Sequence, residues 1–348
     1  MKEVTIVGWI NNGKPADCGE TMKNQLIIKK LEEMGVRCRP VDFKGWKRRP
    51  WVFLQFAWNL FIHKKSTLIL STSPQNIYFL MKIMKKIGWK QNTVHWVIGG
   101  NLGDKIEQGV YKPEVLGYMQ HTLVESPVMV RQLEAAGIRG VKEVPNFKPI
   151  FYRPEIKNRY PGTGRELRFV FLSRVMPEKG CDYILAAARM LETKGYGDKF
   201  SVDFYGKIAE DYEKTFLSQV DSLHSVAYKG FLDLTGEAGY DELSGYDVML
   251  FPTYWKGEGF PGILIDAFTC GLPVIASEWA HNRIFLEEGR TALFVPVHDA
   301  DALCDKMRQC IDGYYDIYAM AQNCQKQCDC YDVDKVITKK LLQEIGVM

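Results

Sequence analysis

Short apolar runs, each closed by Gly, Ser, Asn or Pro and followed by a stretch of helical periodicity, recur along the whole chain. The first set is Val4–Val7, Arg37–Asp42, Thr67–Leu70, Thr93–Ile98, Leu123–Ser126 and Lys142–Val144. The second is Arg168–Leu172, Val202–Tyr205, Val226–Tyr228, Asp247–Phe251, Pro273–Ala276 and Ala292–Val295. Near-continuous apolar strands alternating with helices predict parallel sheets with helices on both faces, an α/β architecture. Two such sets predict two Rossmann-like units.

Between the sets, Pro145–Gly164 has prolines at 145, 149, 154 and 161 among Asn146, Asn158, Gly162 and Gly164, with no apolar period. It reads as a linker. The expected organisation is an N-terminal domain over residues 1–150, a C-terminal domain over 151–330, and a terminal helix in 331–348 that packs back on the first domain. That helix is expected at about Val333–Ile345, with Asp332 or Asp334 as its N-cap. A length of 348 residues suits two domains, which should face each other across a cleft.

Composition narrows the class further. Hydrophobic residues at 46% and charged residues at 25% describe a globular chain rather than a disordered or fibrous one. Met1–Val7 enters directly into a strand pattern, so a cytosolic location is expected. Nine scattered cysteines, an odd number, read as buried thiols of a reducing compartment. Cys324, Cys328 and Cys330 lack the spacing of a zinc site. Asp299-Ala300-Asp301 and Asp332-Val333-Asp334 precede helical patterns and read as caps. No metal or other cofactor is expected.

The net charge of +3 conceals an asymmetry. Residues 1–150 carry 23 Lys and Arg against 12 Asp and Glu, a net +11, whereas the remainder carries 22 against 30, a net −8. No acid occurs between Asp42 and Asp104, while Lys44, Lys47, Arg48, Arg49, Lys64, Lys65, Lys82, Lys85, Lys86 and Lys90 fall there. The apolar stretch Trp51–Ile62 inside this run is shorter than the roughly 20 residues that span a bilayer. Two readings follow: Trp46–Lys65 and Lys82–Lys90 lie on an anionic membrane surface, or Trp51–Ile62 is a buried helix with a solvated basic rim. Nucleic acid fits less well, because the aromatics sit among aliphatic residues rather than between cations.

Candidate chemistry is concentrated in the second half. In Gly257-Glu258-Gly259-Phe260-Pro261-Gly262-Ile263-Leu264-Ile265-Asp266, a strand ending near Phe251 delivers a glycine-rich turn, and a helix is expected to open at about Pro261. Amides at such a helix start attract anions and sugar hydroxyls. Glu258 and Asp266, eight residues apart, can address one ligand from its two ends. Upstream, the run Phe169–Leu172 is followed by Ser173, Arg174 and then Glu178-Lys179-Gly180. Two cations five residues apart beyond a strand end can clasp a diphosphate, Arg174 as a fork and Lys179 as a point charge.

These residues resemble the signatures of retaining GT-B glycosyltransferases, in particular the large family 4. Glu258 to Asp266 resembles its Glu-x7-Glu motif, with aspartate in the second place, and the strings EGFPG, LIDAF and CGLPVIAS are close to its usual wording. Ser173 to Gly180 resembles its Gly-Arg-x4-Lys-Gly signature, with serine for the first glycine. The resemblance implies a GT-B fold, Glu258 on the donor sugar and Asp266 on the ribose hydroxyls. Gly259, Phe260, Pro261, Gly262 and Ile263 would supply the amides around the donor. It further implies that Gly13, in the loop Asn11–Thr21, approaches the donor phosphates and that Gly206 and Lys207 lie near the base. Val124-Glu125-Ser126 and Val144-Pro145-Asn146 resemble segments that close the first domain.

His95, in a strand whose end should open on the cleft, is a candidate for orienting the sugar or acceptor; a histidine satisfied inside the sheet is the alternative. Asn101, beside Gly99-Gly100, is a further acceptor-side candidate. The resemblance therefore implies transfer of a sugar from a nucleotide-sugar to a glycan or lipid-linked saccharide, with Glu258, Arg174, Lys179 and His95 in the chemistry. It implies a role in polysaccharide or glycoconjugate synthesis, in the cytoplasm or at the inner membrane face. A nucleotide-sugar epimerase or hydrolase on the same fold would keep the diphosphate clasp. A non-catalytic partner subunit would be expected to lose Glu258 or the cations.

Overall fold

The computed structural model describes residues 2–156 and 165–348, so residues 157–164 of the expected linker lie outside the described residues, as does the side chain of Lys47. Among the described residues the chain forms two compact units. One comprises Met1–Pro149, Gly259–Pro261 and Tyr331–Met348; the other comprises Ile150–Glu258 and Gly262–Cys330.

The first unit holds β1 (Glu3–Gly8), β2 (Arg37–Asp42), β3 (Thr67–Thr72), β4 (Thr93–Val97), β5 (His121–Val124) and β6 (Val141–Glu143). They lie in the order β2-β1-β3-β4-β5-β6, parallel throughout. Alternation along the strands supplies two cores. Val7, Leu68, Leu70 and Val97 face one side with Phe43, Phe56 and Met81. Val4, Ile6, Ile69 and Trp96 face the other with Ile27 and Leu31.

The C-terminal segment completes that second core through Val333, Ile337, Leu342, Ile345 and Val347. It is not the single helix expected over Val333–Ile345. Val333–Val336 and Lys339–Glu344 are separate helices, because Thr338 takes an extended conformation and its hydroxyl accepts the Leu341 N–H at 3.2 Å. A β-branched residue that caps its neighbours ends one helix and starts the next. Asp332 caps the first of these helices, and Asp299 caps Ala300–Ile311 through the Ala302 N–H.

The helix Trp51–Ile62 turns Val52 and Phe56 inward, while Trp51, Leu54, Trp58, Phe61 and Ile62 are all more than half exposed. Ile83 in the helix Pro74–Lys86 and Ile87 at its end are exposed as well. The reading of Trp51–Ile62 as simply buried is thus corrected: Val52 and Phe56 are buried, whereas Trp51, Leu54, Trp58, Phe61 and Ile62 are exposed. Among the described residues no helix is long and apolar enough to cross a membrane.

The second unit holds β7 (Leu167–Leu172), β8 (Phe200–Tyr205), β9 (Val226–Gly230), β10 (Val248–Phe251), β11 (Val274–Ser277) and β12 (Ala292–Val295). Their order is β12-β11-β10-β7-β8-β9, again parallel. Strand order reverses between β7 and β10. Parallel sheets of this kind bind ligands beyond the carboxyl ends of the strands at such a reversal. The loops after Leu172 and Phe251 emerge there, and they carry the motifs singled out above.

Candidate functional site

After β7 the chain passes through Ser173, Arg174 and the short turn Pro177–Lys179 before the helix Cys181–Thr193. After β10 it passes through Pro252, Thr253, Tyr254 and Trp255 to Glu258. The two loops are tied at the backbone: the Tyr254 N–H donates to the Glu178 carbonyl at 2.9 Å. Gly180 has φ +83°, and a Cβ there would stand 2.2 Å from the Pro252 carbonyl oxygen. Only glycine satisfies both the left-handed backbone and that approach.

The tie brings together Lys179, expected on the diphosphate, and Glu258, expected on the sugar of the same donor. The Lys179 ammonium lies 2.6 Å from Glu258 Oε2, with both residues only 7% exposed. Thr253, fully buried, donates its hydroxyl to the same oxygen at 2.9 Å. Removing an ammonium and a carboxylate from water is costly unless each finds the other and further hydrogen bonds. Here a lysine, a carboxylate and a hydroxyl meet that condition at the mouth of the strand reversal.

Arg174 is different in kind. It is exposed, and its guanidinium sits 5.5 Å from the Trp255 ring centre, a cation–π stack. Its planar fork stays available for a bidentate anion. Gly206 and Lys207 adjoin the same loop. Gly206 has φ +133°, and a Cβ there would meet the Ser173 carbonyl oxygen at 1.7 Å, while the Val175 N–H donates to the Lys207 carbonyl at 2.9 Å. Ser173, Arg174, Lys179, Gly206, Lys207 and Glu258 therefore belong to one end of one sheet.

Gly262 and Ile263, half-buried, open the helix Gly262–Thr269, one residue after the expected start at Pro261. Asp266 lies in that helix. It is 1% exposed and accepts the Tyr240 hydroxyl at 2.9 Å. Burial and the adjacent carboxylate push the Tyr240 phenol up, which keeps it a donor to Asp266. One carboxylate oxygen of Asp266 thus joins two helices inside the unit.

In the first unit, Gly13 is exposed with φ +76°, and a side chain there would enter open space. Asn101 is half-buried at the start of the helix Leu102–Glu107. His95 lies within β4, paired with Leu70 and Thr122, and is fully buried. This is a sheet-interior histidine, not one presented to a ligand, because the side chain projects from the middle of the strand and not from its end. Burial drives its pKa down to about 4, partly offset by the Thr72 backbone.

That depression has a sign that can be checked. Above pH 6.5 the ring is neutral in folded and unfolded chains alike. As the pH falls from 6.5 toward 4, the unfolded chain takes up a proton that the folded chain refuses, which lowers stability by about 3 kcal/mol. His95→Gln should lose about that much less than the native chain between pH 6.5 and pH 4 in urea unfolding; superimposable pH profiles would contradict this.

Several participants were not singled out from sequence. Thr253 and Trp255 follow a strand end, and that position was their available signal. Glu20 begins the helix Gly19–Glu33, and burial raises its carboxyl to about 7 despite hydrogen bonds from the Thr72 side chain and the Trp9 backbone. Gly259–Pro261 belongs to the first unit. The Phe260 N–H donates to Glu125 at 3.0 Å, and Asn146 donates to the Phe260 carbonyl at 2.8 Å.

Two parallel Rossmann-like sheets, the second with a cationic and acidic pair at its strand reversal, define the GT-B class of α/β proteins. Residues 166–313 match the model of a family described as glycosyl transferases group 1. The chain is 27% identical over 155 residues to the amylovoran biosynthesis glycosyltransferase AmsK of Erwinia amylovora, covering 43% of this chain and 37% of that one. It is 27% identical over 220 residues to the phosphatidyl-myo-inositol mannosyltransferase of Mycobacterium leprae, covering 62% and 56%. The chain thus spans roughly a third to about half the length of these curated relatives. The structure of Anabaena Alr3699/HepE in complex with UDP and glucose superposes with a TM-score of 0.72 at 14% identity, over 100% of both chains.

Proposed function

We propose that this protein is a glycosyltransferase that moves a sugar from a nucleotide-sugar to a glycan or lipid-linked saccharide, with retention of anomeric configuration, in polysaccharide or glycoconjugate synthesis. The observation that carries the reading is the buried Lys179–Glu258–Thr253 contact beside the exposed Arg174 fork, at the strand reversal of the region that matches glycosyl transferases group 1. The diphosphate leaves toward Arg174 and Lys179, whose charges offset the negative charge that develops as the sugar–phosphate bond breaks. Glu258, held by Lys179 and Thr253, positions the sugar. The acceptor hydroxyl forms the new bond from the face the diphosphate vacates, and its proton passes to the departing phosphate.

The two cations take the charge-neutralising role that a divalent ion plays elsewhere, so the reading needs no metal, and EDTA should leave the rate unchanged. The test is a thermal-shift screen of UDP, GDP, ADP and CDP, followed by assays of the matching nucleotide-sugars with and without saccharide acceptors. Selective stabilisation by one diphosphate and acceptor-dependent sugar transfer are expected. Equal donor consumption without acceptor would favour a hydrolase or epimerase, and no binding of any diphosphate would reject the reading.

The exposed Trp51, Leu54, Trp58, Phe61, Ile62, Ile83 and Ile87, together with exposed Lys64, Lys65, Lys82, Lys86 and Lys90, suit an anionic cytoplasmic leaflet on which a lipid-linked acceptor would sit. The naming of a phosphatidyl-inositol mannosyltransferase among the relatives is in keeping with this. Each cation near such a surface contributes about 1 kcal/mol. Replacing the five lysines by Gln should weaken sedimentation with vesicles rich in phosphatidylserine by at least about tenfold. Unchanged sedimentation would defeat this part of the reading.

A further inference from the structure

Within the second unit, Trp255 touches both Arg174 and Glu258. Its ring carries the Arg174 guanidinium, 5.5 Å from the ring centre. Its N–H donates to the Thr253 hydroxyl at 3.2 Å, and that hydroxyl donates to Glu258 Oε2 at 2.9 Å. Its carbonyl accepts the Glu258 N–H at 3.1 Å and the Trp279 Nε1–H at 2.8 Å. Ring and backbone of one residue thus reach the cation assigned to the diphosphate and the carboxylate assigned to the sugar.

Trp279 follows β11, the neighbour of β10, so its indole reaches across from the adjoining loop. That loop is itself fixed. The Trp279 N–H donates to the Ser277 carbonyl at 2.9 Å, and its carbonyl accepts the Asn282 N–H at 3.0 Å. Asn282, fully buried, donates its side-chain amide to the Ser277 carbonyl at 2.9 Å. A backbone carbonyl has two lone pairs, and the Trp255 carbonyl uses both, one for Glu258 and one for this indole.

Gly257 confines the Trp255 ring. A Cβ there would stand 2.8 Å from Trp255 Nε1 and 3.5 Å from its Cδ1 and Cε2. The chain folds over the pyrrole part of the indole at a distance that a side chain would not permit, so the ring has little freedom to turn. This matters for Arg174. An exposed arginine samples many rotamers, and binding an anion must select among them. A fixed ring holds the planar fork in place beforehand, which raises both affinity and rate by preorganisation.

We propose that Trp255 and Trp279 are positioning residues of sugar transfer: the Trp255 ring sets the Arg174 fork, and the Trp279 indole N–H, through the Trp255 carbonyl, sets the turn that presents Glu258. Both act through other groups rather than on the substrate. The inference rests on the transferase reading, and its test separates the two.

Trp255→Leu keeps apolar bulk but removes the aromatic face, Trp255→Phe restores a face, and Trp279→Phe keeps a ring while removing the donor N–H. The probes are the nucleoside diphosphate selected by the screen and its sugar donor. Trp255→Leu should weaken diphosphate binding about fivefold and slow transfer about 20-fold, and Trp255→Phe should recover most of both. Arg174→Ala should cost clearly less affinity in the Trp255→Leu background than in the native chain, because the two side chains act as a unit. Trp279→Phe should lower kcat about tenfold with diphosphate affinity and donor KM within about twofold of native, since it disturbs Glu258 and not Arg174.

Hydrogen exchange at the Glu258 amide reads the bracket apart from activity and should accelerate about tenfold in Trp279→Phe. Native turnover in Trp255→Leu or in Trp279→Phe would overturn the proposal. So would a Trp255→Phe variant no better than Trp255→Leu, an Arg174→Ala penalty equal in both backgrounds, or unchanged Glu258 exchange. If the native chain binds no diphosphate, the transferase reading fails, while faster exchange at Glu258 would still establish that Trp279 holds the turn.

Discussion

Lys179→Ala should lose both stability and activity. Its partner Glu258 would remain 7% exposed with only the Thr253 hydroxyl as a contact, and stranding a buried charge costs about 3–5 kcal/mol. For a unit of this size that corresponds to a fall in Tm of roughly 10 °C. Transfer should fall at least about 100-fold, since a cation facing the leaving group and the anchor of Glu258 are removed together. A second variant separates the two effects. Lys179→Met with Glu258→Met removes both charges into a pocket already built to exclude water, so Tm should recover while transfer stays absent. Activity in the double variant would show the pair to be a structural ion pair and nothing more.

Arg174→Ala should do the opposite, losing activity at constant stability. The side chain is exposed and its only described contact is the stack on Trp255, worth about 0.5–1 kcal/mol. Deleting a preorganised positive group that faces developing charge costs about 100-fold or more in rate. Arg174→Lys keeps the charge but not the planar fork, and should recover part of the rate. Diphosphate affinity, measured by calorimetry, should fall with the rate in Arg174→Ala. An alanine variant with native affinity and turnover would remove Arg174 from the site.

The contrast between these two cations was not legible in the sequence. Spacing showed that Arg174 and Lys179 follow the same strand and pointed to a shared anion. It did not show that Lys179 is buried against Glu258, because that contact depends on β10 lying beside β7, a long-range pairing. The strands themselves were legible. All twelve expected runs coincide with β1–β12 to within a few residues, since a strand buried on both faces has an apolar signature that tertiary context rarely reverses.

Misplaced details share a cause. Trp51–Ile62 is apolar apart from Gln55 and Asn59, so its periodicity is too weak to mark which of its apolar side chains meet the core. Asp266 sits at the expected motif position, and the sequence did not show that Tyr240, 26 residues upstream, donates to one of its oxygens. For His95 two readings were open, and it stands fully buried within β4 beside Thr122. Thr338 was hidden inside an apparently continuous helical pattern. In each case the deciding partner is distant in sequence, or the deciding geometry is a local cap that competes with the longer pattern.

The most direct measurement of the central claim is a crystal structure of the protein with the nucleoside diphosphate that the screen selects. The account predicts both phosphates beyond the ends of β7 and β10, with oxygens about 3 Å from the Arg174 guanidinium and the Lys179 ammonium. A diphosphate bound elsewhere on the chain, with these two side chains turned away from it, would contradict it.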